Sequence, residues 1–274
     1  MSSQYKKFDF PAINELSLEI TYHNPVNFCI SNEPSIHTHN SFEIYFNLSG
    51  NVSFIANDKI YKISKGNLII TNPYEYHHCI FHDNHEHEHY CMNFSLNSSS
   101  TLFKQFTNET GPFVSLPPTV ITSVANHFKA LVNASPDSEL DSLCHFFRIL
   151  QIIKNNSKNH SEIDSLDDIP DNLRKALKII NTEYQYPITV SSLASELFMS
   201  VNTLERYFKR HLNISPKEYI MRKRLSYAIY LLNDNQSIST AAAESGFSDT
   251  SNFIQNFKRA YGKTPRQYLR ETKN

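Results

Sequence analysis

Histidine dominates the chemistry available in the first hundred residues of this 274-residue chain. His37, His39, Glu43, Tyr45 and Asn47 all stand at odd positions of one segment, and His82, His85, His87 and His89 follow further along. Imidazole titrates near neutrality and coordinates transition metals, and together with carboxylate, phenol and amide it can hold a polar ligand by hydrogen bonds. Apart from these histidines the chain offers no nucleophile constellation and no paired acid and base.

Placing those side chains on one face requires a strand. From Ile36 to Leu48 the even positions Phe42, Ile44, Phe46 and Leu48 are apolar while the odd ones are polar, and alternate residues of a strand point to opposite faces. Between about residues 17 and 96, short alternating runs are broken at Asn51, Asn57-Asp58, Gly66 and Asn72-Pro73, which predicts an all-β sandwich or small barrel. Tyr90, Met92, Phe94 and Leu96 alternate as the packed side of another strand, so His89 falls on its opposite face. His85 and His87 sit among Glu86 and Glu88, and the expectation for this second histidine group is a solvent-exposed acidic loop. Cys29, Cys79, Cys91 and Cys144 are scattered, as reduced thiols rather than a disulfide framework would be.

Pro117 to Asn133 and Asp137 to Lys154 read as two helices separated at Ser135-Pro136. In the second, Leu140, Leu143, Cys144, Phe147, Leu150 and Ile153 trace an apolar stripe widened by Phe146, Ile149 and Ile152, too much for a solitary surface helix. Either the barrel or another subunit must cover it. The Asn-, Ser- and Asp-rich stretch from Asn155 to Asp171 fits a solvated linker.

The last quarter repeats itself. Ala194, Phe198, Phe208, Lys209, Arg210, Pro216 and Tyr219, read forward by 49 residues, land on Ala243, Phe247, Phe257, Lys258, Arg259, Pro265 and Tyr268. Such self-similarity marks one supersecondary unit used twice, and Ser200 and Asp249 stand where N-caps would open the second helix of each unit. In the first copy Val201, Leu204, Tyr207, Phe208 and Leu212 form the buried stripe, leaving Asn202, Glu205, Arg206, Lys209 and Arg210 outward. In the second, Phe253, Phe257 and Tyr261 are buried and Thr250, Ser251, Gln255, Lys258 and Arg259 face out. A capped helix with a polar amino-terminal face and a basic end suits a major groove, its amides and guanidinium reading base edges and its cations meeting phosphates.

Charge divides along the same line. From residue 170 onward there are 16 Lys and Arg against 9 Asp and Glu, whereas residues 1–169 hold 10 against 18, so a near-neutral total conceals a basic domain joined to an acidic one. Duplex DNA is the natural polyanion for the basic end. No apolar run approaches membrane-spanning length and Met1 to Leu16 lacks a signal-peptide core, so no membrane partner and a cytoplasmic location are expected.

Two resemblances follow from these residues. Ile188 to Leu197, Met199-Ser200, Leu204, Arg206 to Lys209, Ser245 to Asp249, Phe253, Phe257-Lys258, Gly262 to Pro265 and Tyr268 resemble the DNA-binding domain of AraC-type transcription regulators. That resemblance implies two helix-turn-helix units joined by a long helix, here Pro216 to Leu232. It puts base contacts at Asn202, Glu205, Arg206, Thr250, Ser251 and Gln255, beside the phosphate candidates Lys209, Arg210, Lys258 and Arg259. Phe198 stands where the family often has a small residue, and Ile254 aligns with Glu205. The spacing of His37, His39, Glu43 and Gly50, with Gly66, Pro73 and His77 beyond, is similar to the two motifs of the cupin barrel. By that similarity His37, His39, Glu43 and His77 would be ligands if a divalent transition metal is bound. Otherwise these four, with Tyr45 and Asn47, would line a pocket for a small-molecule effector. The implied organisation is an α+β multidomain chain: a cupin-like effector domain over 1–115, a helical dimerisation segment over 116–156, a linker over 157–171 and a double helix-turn-helix domain over 172–274. Its implied activity is effector-controlled transcription regulation, not catalysis, with DNA, a second copy of the chain and RNA polymerase as partners. The rival class is a metal-dependent cupin enzyme such as an oxygenase.

Overall fold

The computed structural model describes residues 4–11, 13, 16–23, 39, 41–56, 59–73, 75, 77–82, 87–95, 101–135, 138–157 and 170–272. Alternating residues build two antiparallel sheets. The larger has the order β1 (Gln4–Phe10), β2 (Leu16–His23), β8 (Glu88–Ser95), β3 (Phe42–Ser49), β6 (Asn67–Thr71), β9 (Phe113–Ser115). The smaller runs β5 (Lys59–Ile63), β4 (Val52–Ala56), β7 (His77–Phe81). His37 and the start of the expected strand lie outside the described residues, and β3 begins at Phe42.

Both faces of the larger sheet are buried. One carries Phe42, Ile44 and Phe46 with Leu18, Ile20, Leu68, Ile70, Met92 and Phe94, and packs on α1 (Thr101–Thr110), α2 (Pro118–Asn133) and α3 (Glu139–Asn156) through Phe106, Val124, Phe128, Phe146 and Ile149. The other face meets the smaller sheet across Tyr45, Val52, Phe54, Ile69, Cys79, Phe81 and Phe113. The apolar stripe expected on α3 is therefore split. Phe146, Ile149, Leu150 and Ile153 are buried against the sheet, whereas Leu140 is 74% and Phe147 40% exposed. A helix lying on a sheet buries a band narrower than its full set of apolar residues, and here that band turned toward Phe146.

The remaining helices are α4 (Asp171–Glu183), α5 (Val190–Glu196), α6 (Val201–Leu212), α7 (Pro216–Asn233), α8 (Ile238–Glu244), α9 (Thr250–Tyr261) and α10 (Pro265–Thr272). Five of their starts are capped by side chains: Thr189, Ser200, Ser215, Ser237 and Asp249 each accept from the backbone N–H three residues on. Asn213 and Gly262 close α6 and α9 in the left-handed conformation. Two cores result. Leu173, Leu177, Leu193, Leu204, Phe208 and Tyr219 pack in one; Leu225, Ile229, Ala241, Phe253 and Phe257 pack in the other, so α7 serves both. Ile55, Ile60 and Ile80, on the outer face of the smaller sheet, join the first of these cores.

The repeat is not uniform in register. Thr189 and Ser237, the caps of α5 and α8, lie 48 residues apart, and the bonds Met199 N–H to Ala194 O and Phe247 N–H to Ala242 O also differ by 48. Ala194 thus matches Ala242 and Phe198 matches Gly246, correcting the pairing with Ala243 and Phe247. The 49-residue spacing returns at Ser200 and Asp249, because the second turn holds one more residue before its cap. Phe198 and Gly246 both have positive φ, 54° and 84°. At Gly246 a Cβ would lie 2.7 Å and 2.8 Å from the carbonyl oxygens of Gln185 and Tyr184, so only glycine lets this turn rest on the α4–α5 loop. Arg224 of α7 donates to the same loop, at the carbonyls of Tyr184 (2.6 Å) and Tyr186 (2.8 Å).

Candidate ligand site and nucleic-acid interface

Glu43 projects from β3 between the sheets because its neighbours Phe42 and Ile44 face the helices. His39 approaches it with Nε2 3.0 Å from Oε2, and His77, opening β7 on the opposing sheet, comes within 3.6 Å of the same oxygen. Each imidazole is oriented by its other nitrogen. His77 Nδ1 lies 2.8 Å from the carbonyl of Glu75, and His39 Nδ1 lies 2.9 Å from the carbonyl of Ser41. A carbonyl only accepts, so Nδ1 is protonated in both rings, and Nε2 donates to the carboxylate only where the ring carries a second proton.

Glu43 and His77 are both buried. Burial pushes the Glu43 carboxyl up, but the charge of His77 and hydrogen bonds from both histidines outweigh it and hold Glu43 well below the usual carboxylate range. Burial likewise lowers His77, yet the Glu43 charge and hydrogen bond raise it overall above the ordinary histidine value. Ligand atoms of His39, Glu43 and His77 lie within 4.8 Å of one another, close enough to grip a single metal ion.

Tyr45 and Asn47 follow Glu43 on the same face of β3 and are buried as well. Tyr45 Oη lies 2.9 Å from His87 Nε2, and its ring stacks on His89 at 4.7 Å. His87 and His89 are therefore interior residues, contrary to the exposure expected of that stretch. The alternation placing His89 opposite Tyr90 is correct, but the smaller sheet covers that opposite face, so parity did not mean solvent. His82 is exposed and His85 lies outside the described residues. Sequence reasoning missed His23, whose ring stacks on His89 at 4.4 Å across the β2–β8 pairing. Only strand register brings those two together.

On the helical side, Ser200 Oγ accepts from Thr203 N–H (3.1 Å) and Asp249 Oδ1 from Asn252 N–H (2.7 Å), opening α6 and α9. Leu204, Phe208 and Leu212 bury one side of α6, and Asn202, Glu205, Arg206, Lys209 and Arg210 are all exposed on the other. On α9 Phe253 and Phe257 are buried, Ser251, Gln255, Lys258 and Arg259 exposed, and Thr250 half-buried. Ile254, level with Glu205, packs against the second core. Both helices present the same geometry: a capped start, a polar middle and a cationic end.

Two family models match the chain, an AraC-like ligand binding domain over residues 32–150 and a helix-turn-helix domain over 193–271. The chain belongs to the AraC-type transcription regulators. Among its AraC-type relatives, the Msm operon regulatory protein of Streptococcus mutans is 29% identical over 177 residues, 64% of this chain and 62% of that protein. The probable transcriptional regulator LumQ of Photobacterium leiognathi is 37% identical over 90 residues, 32% of this chain and 36% of that protein. The chain thus spans less than two thirds of the length of either relative. A solved structure of ToxT from Vibrio cholerae aligns over 93% of this chain and 97% of its own, at 16% identity and a TM-score of 0.38. Among the described residues, no helix of this AraC-type chain is long and apolar enough to cross a membrane.

Proposed function

We propose that this chain is a sequence-specific DNA-binding transcription regulator controlled by a small effector held between the two sheets. The observation that carries the reading is the matched pair of capped, basic-ended helices α6 and α9, each outward face free of packing duty. Asn202, Glu205 and Arg206 on α6, with Thr250, Ser251 and Gln255 on α9, read base edges; Lys209, Arg210, Lys258 and Arg259 meet phosphates. A homodimer with two such domains would read paired half-sites, and the exposed Leu140 and Phe147 of α3 support a second copy as its partner. RNA polymerase is the partner through which a bound regulator would act, and the cytoplasm is where it would do so.

The test is selection of binding sequences from random duplexes with the full chain, followed by affinity measured against salt. A recovered motif with two half-sites is expected. Lys209→Ala should weaken cognate and random DNA alike and flatten the salt dependence. Recovery of no motif, or a Lys209→Ala loss confined to cognate DNA, would contradict the assignment.

The convergence of His39, Glu43 and His77 favours a second reading for the sensor, a divalent transition metal. When bound, such an ion would offer open coordination positions to an effector. These three residues would hold it by two Nε2 atoms and a carboxylate oxygen, with Glu75 and Ser41 fixing the rings. Elemental mass spectrometry of untagged protein decides: near-stoichiometric metal lost with His39→Ala supports the ion, and absence of metal leaves an organic ligand.

A further inference from the structure

A cleft of about 560 Å³ opens between the start of α7 and the end of α9, with no residue of the barrel lining it. Such a volume suits a small organic ligand, whose sites run roughly 300–1,000 Å³. Its floor is apolar: Leu225 is buried in the second helical core, and Met221 and Tyr261 pack half-buried against that core. Its rim is cationic. Lys217, Arg222 and Arg259 line it against one carboxylate, Glu218, and Glu218 is already paired with Arg222 one turn on. Among the described residues Lys217 and Arg259 have neither an ion pair nor a side-chain hydrogen bond, so two cations border the cleft without a counter-charge. The positive end of the 18-residue helix α7 adds to the same field. There Pro216 has no N–H and Ser215 Oγ accepts from Glu218 N–H, which leaves the Lys217 N–H without an intrahelical acceptor. Tyr261 brings a hydroxyl. Burial and Tyr268 push that phenol above its ordinary value, outweighing a pull down from Arg222, so it stays protonated and can donate to an anion.

We propose that this cleft binds a small phosphomonoester with an apolar body, and that its occupant withdraws Arg259 from the DNA backbone. A phosphomonoester near neutral pH carries a charge of about −2, which answers the two unpaired cations, whereas a backbone phosphodiester carries a single charge. The Arg259 guanidinium matches two phosphate oxygens at once and the Lys217 ammonium supplies a point charge. A bare inorganic anion would leave the floor of Met221, Leu225 and Tyr261 wet, and a neutral apolar molecule would leave both cations unanswered. Because Arg259 also stands among the phosphate contacts assigned to α9, ligand and DNA compete for one side chain. That competition rests on the DNA-binding reading; the site itself does not.

Titration calorimetry of the full chain with 2-naphthyl phosphate, in phosphate-free buffer, tests the site, and 2-naphthol and inorganic phosphate test its two halves. The aryl phosphate should bind, and each partial probe should bind at least about tenfold more weakly. Lys217→Ala and, separately, Arg259→Ala should weaken the aryl phosphate by about tenfold or more. Tyr261→Phe, which keeps the ring on the core, should weaken it less. Saturating probe should lower the affinity of the native chain for duplex DNA, and Lys217→Ala should relieve that inhibition. Failure of the aryl phosphate to bind, or equal binding of 2-naphthol, would overturn the proposal. So would binding that survives both Lys217→Ala and Arg259→Ala but is lost with Glu43→Gln, which would seat the probe in the barrel. A Lys217→Ala chain that loses DNA affinity without any probe, yet binds the probe unchanged, would give the cleft to the DNA backbone instead. Calorimetry uses no DNA, so a failed DNA selection leaves the site standing, and a probe that binds without displacing DNA overturns the claim on Arg259.

Discussion

The barrel and the paired helix-turn-helix units carry their chemistry in opposite places. In the barrel it is inside: Glu43, Asn47, His77, His87 and His89 are all buried. In the helical domain it is outside, with Asn202, Arg206, Gln255 and Lys258 exposed and the interior given to Leu204, Phe208, Phe253 and Phe257. Buried polar groups cost stability unless paired, whereas exposed ones cost little, so the polar set lowers the stability of the barrel more than that of the helical domain. The helical domain concentrates its structural devices at turns: five side-chain caps and a glycine pressed against backbone carbonyls.

That contrast is sharpest where a substitution should harm one region by structure alone. Gly246→Ala adds a Cβ against two carbonyl oxygens at positive φ and should destabilise the helical domain by about 2–4 kcal/mol. Urea denaturation would measure it, and a loss below about 1 kcal/mol would mean that the turn relaxes freely. Arg206→Ala should leave stability unchanged but cost about 1–3 kcal/mol at the cognate site and relax base preference there. An equal loss on random DNA would reassign Arg206 to phosphate.

The pH dependence of stability belongs to the barrel. The depressed Glu43 contributes stability that is present above the ordinary carboxylate range and lost as pH falls through its folded value. The raised His77 contributes stability that is full below its ordinary value of 6.5 and lost as pH rises through its folded value. Barrel melting should therefore plateau between those limits and fall on both sides, and Glu43→Gln should flatten both arms. A profile unaltered by Glu43→Gln would remove the pair from the stability balance. The smallest effect is expected at Phe198, 97% exposed and strained at φ 54°. Phe198→Gly should stabilise by about 1 kcal/mol at most, the left-handed strain being partly offset by glycine's chain entropy. A destabilised variant would show that the Phe198 ring makes a contact that matters.

Legibility followed the same division. The N-caps Ser200 and Asp249 and the outward set of α6 could be read directly because capping and helical periodicity act within a few residues. The repeat was readable, but its register was not. The alanine run from Ala241 to Ala243 let Ala243 match Ala194 in type, although Ala242 matches it in place. Alternation correctly assigned Glu43, Tyr45 and Asn47 to one face and His89 to the face opposite Tyr90, yet the exposure expected of His87 and His89 was wrong, because a strand's period names two faces without saying what covers each. The same limit split the α3 stripe, leaving Leu140 and Phe147 uncovered.

The sequence by itself determined the order of the β-rich and helical parts, the segregation of acidic from basic charge, the paired capped and basic-ended helices and the polar face of β3. Each of these rests on residue type and short-range period. Tertiary structure decided that His39, just before β3, and His77, on the other sheet, meet at one carboxylate oxygen as the cupin similarity had implied, and it alone decided that His23, Asn47 and His89 fall in one row. Those contacts join residues far apart in the chain through strand pairing and sheet stacking, and a local pattern carries no information about which distant strand will lie beside it.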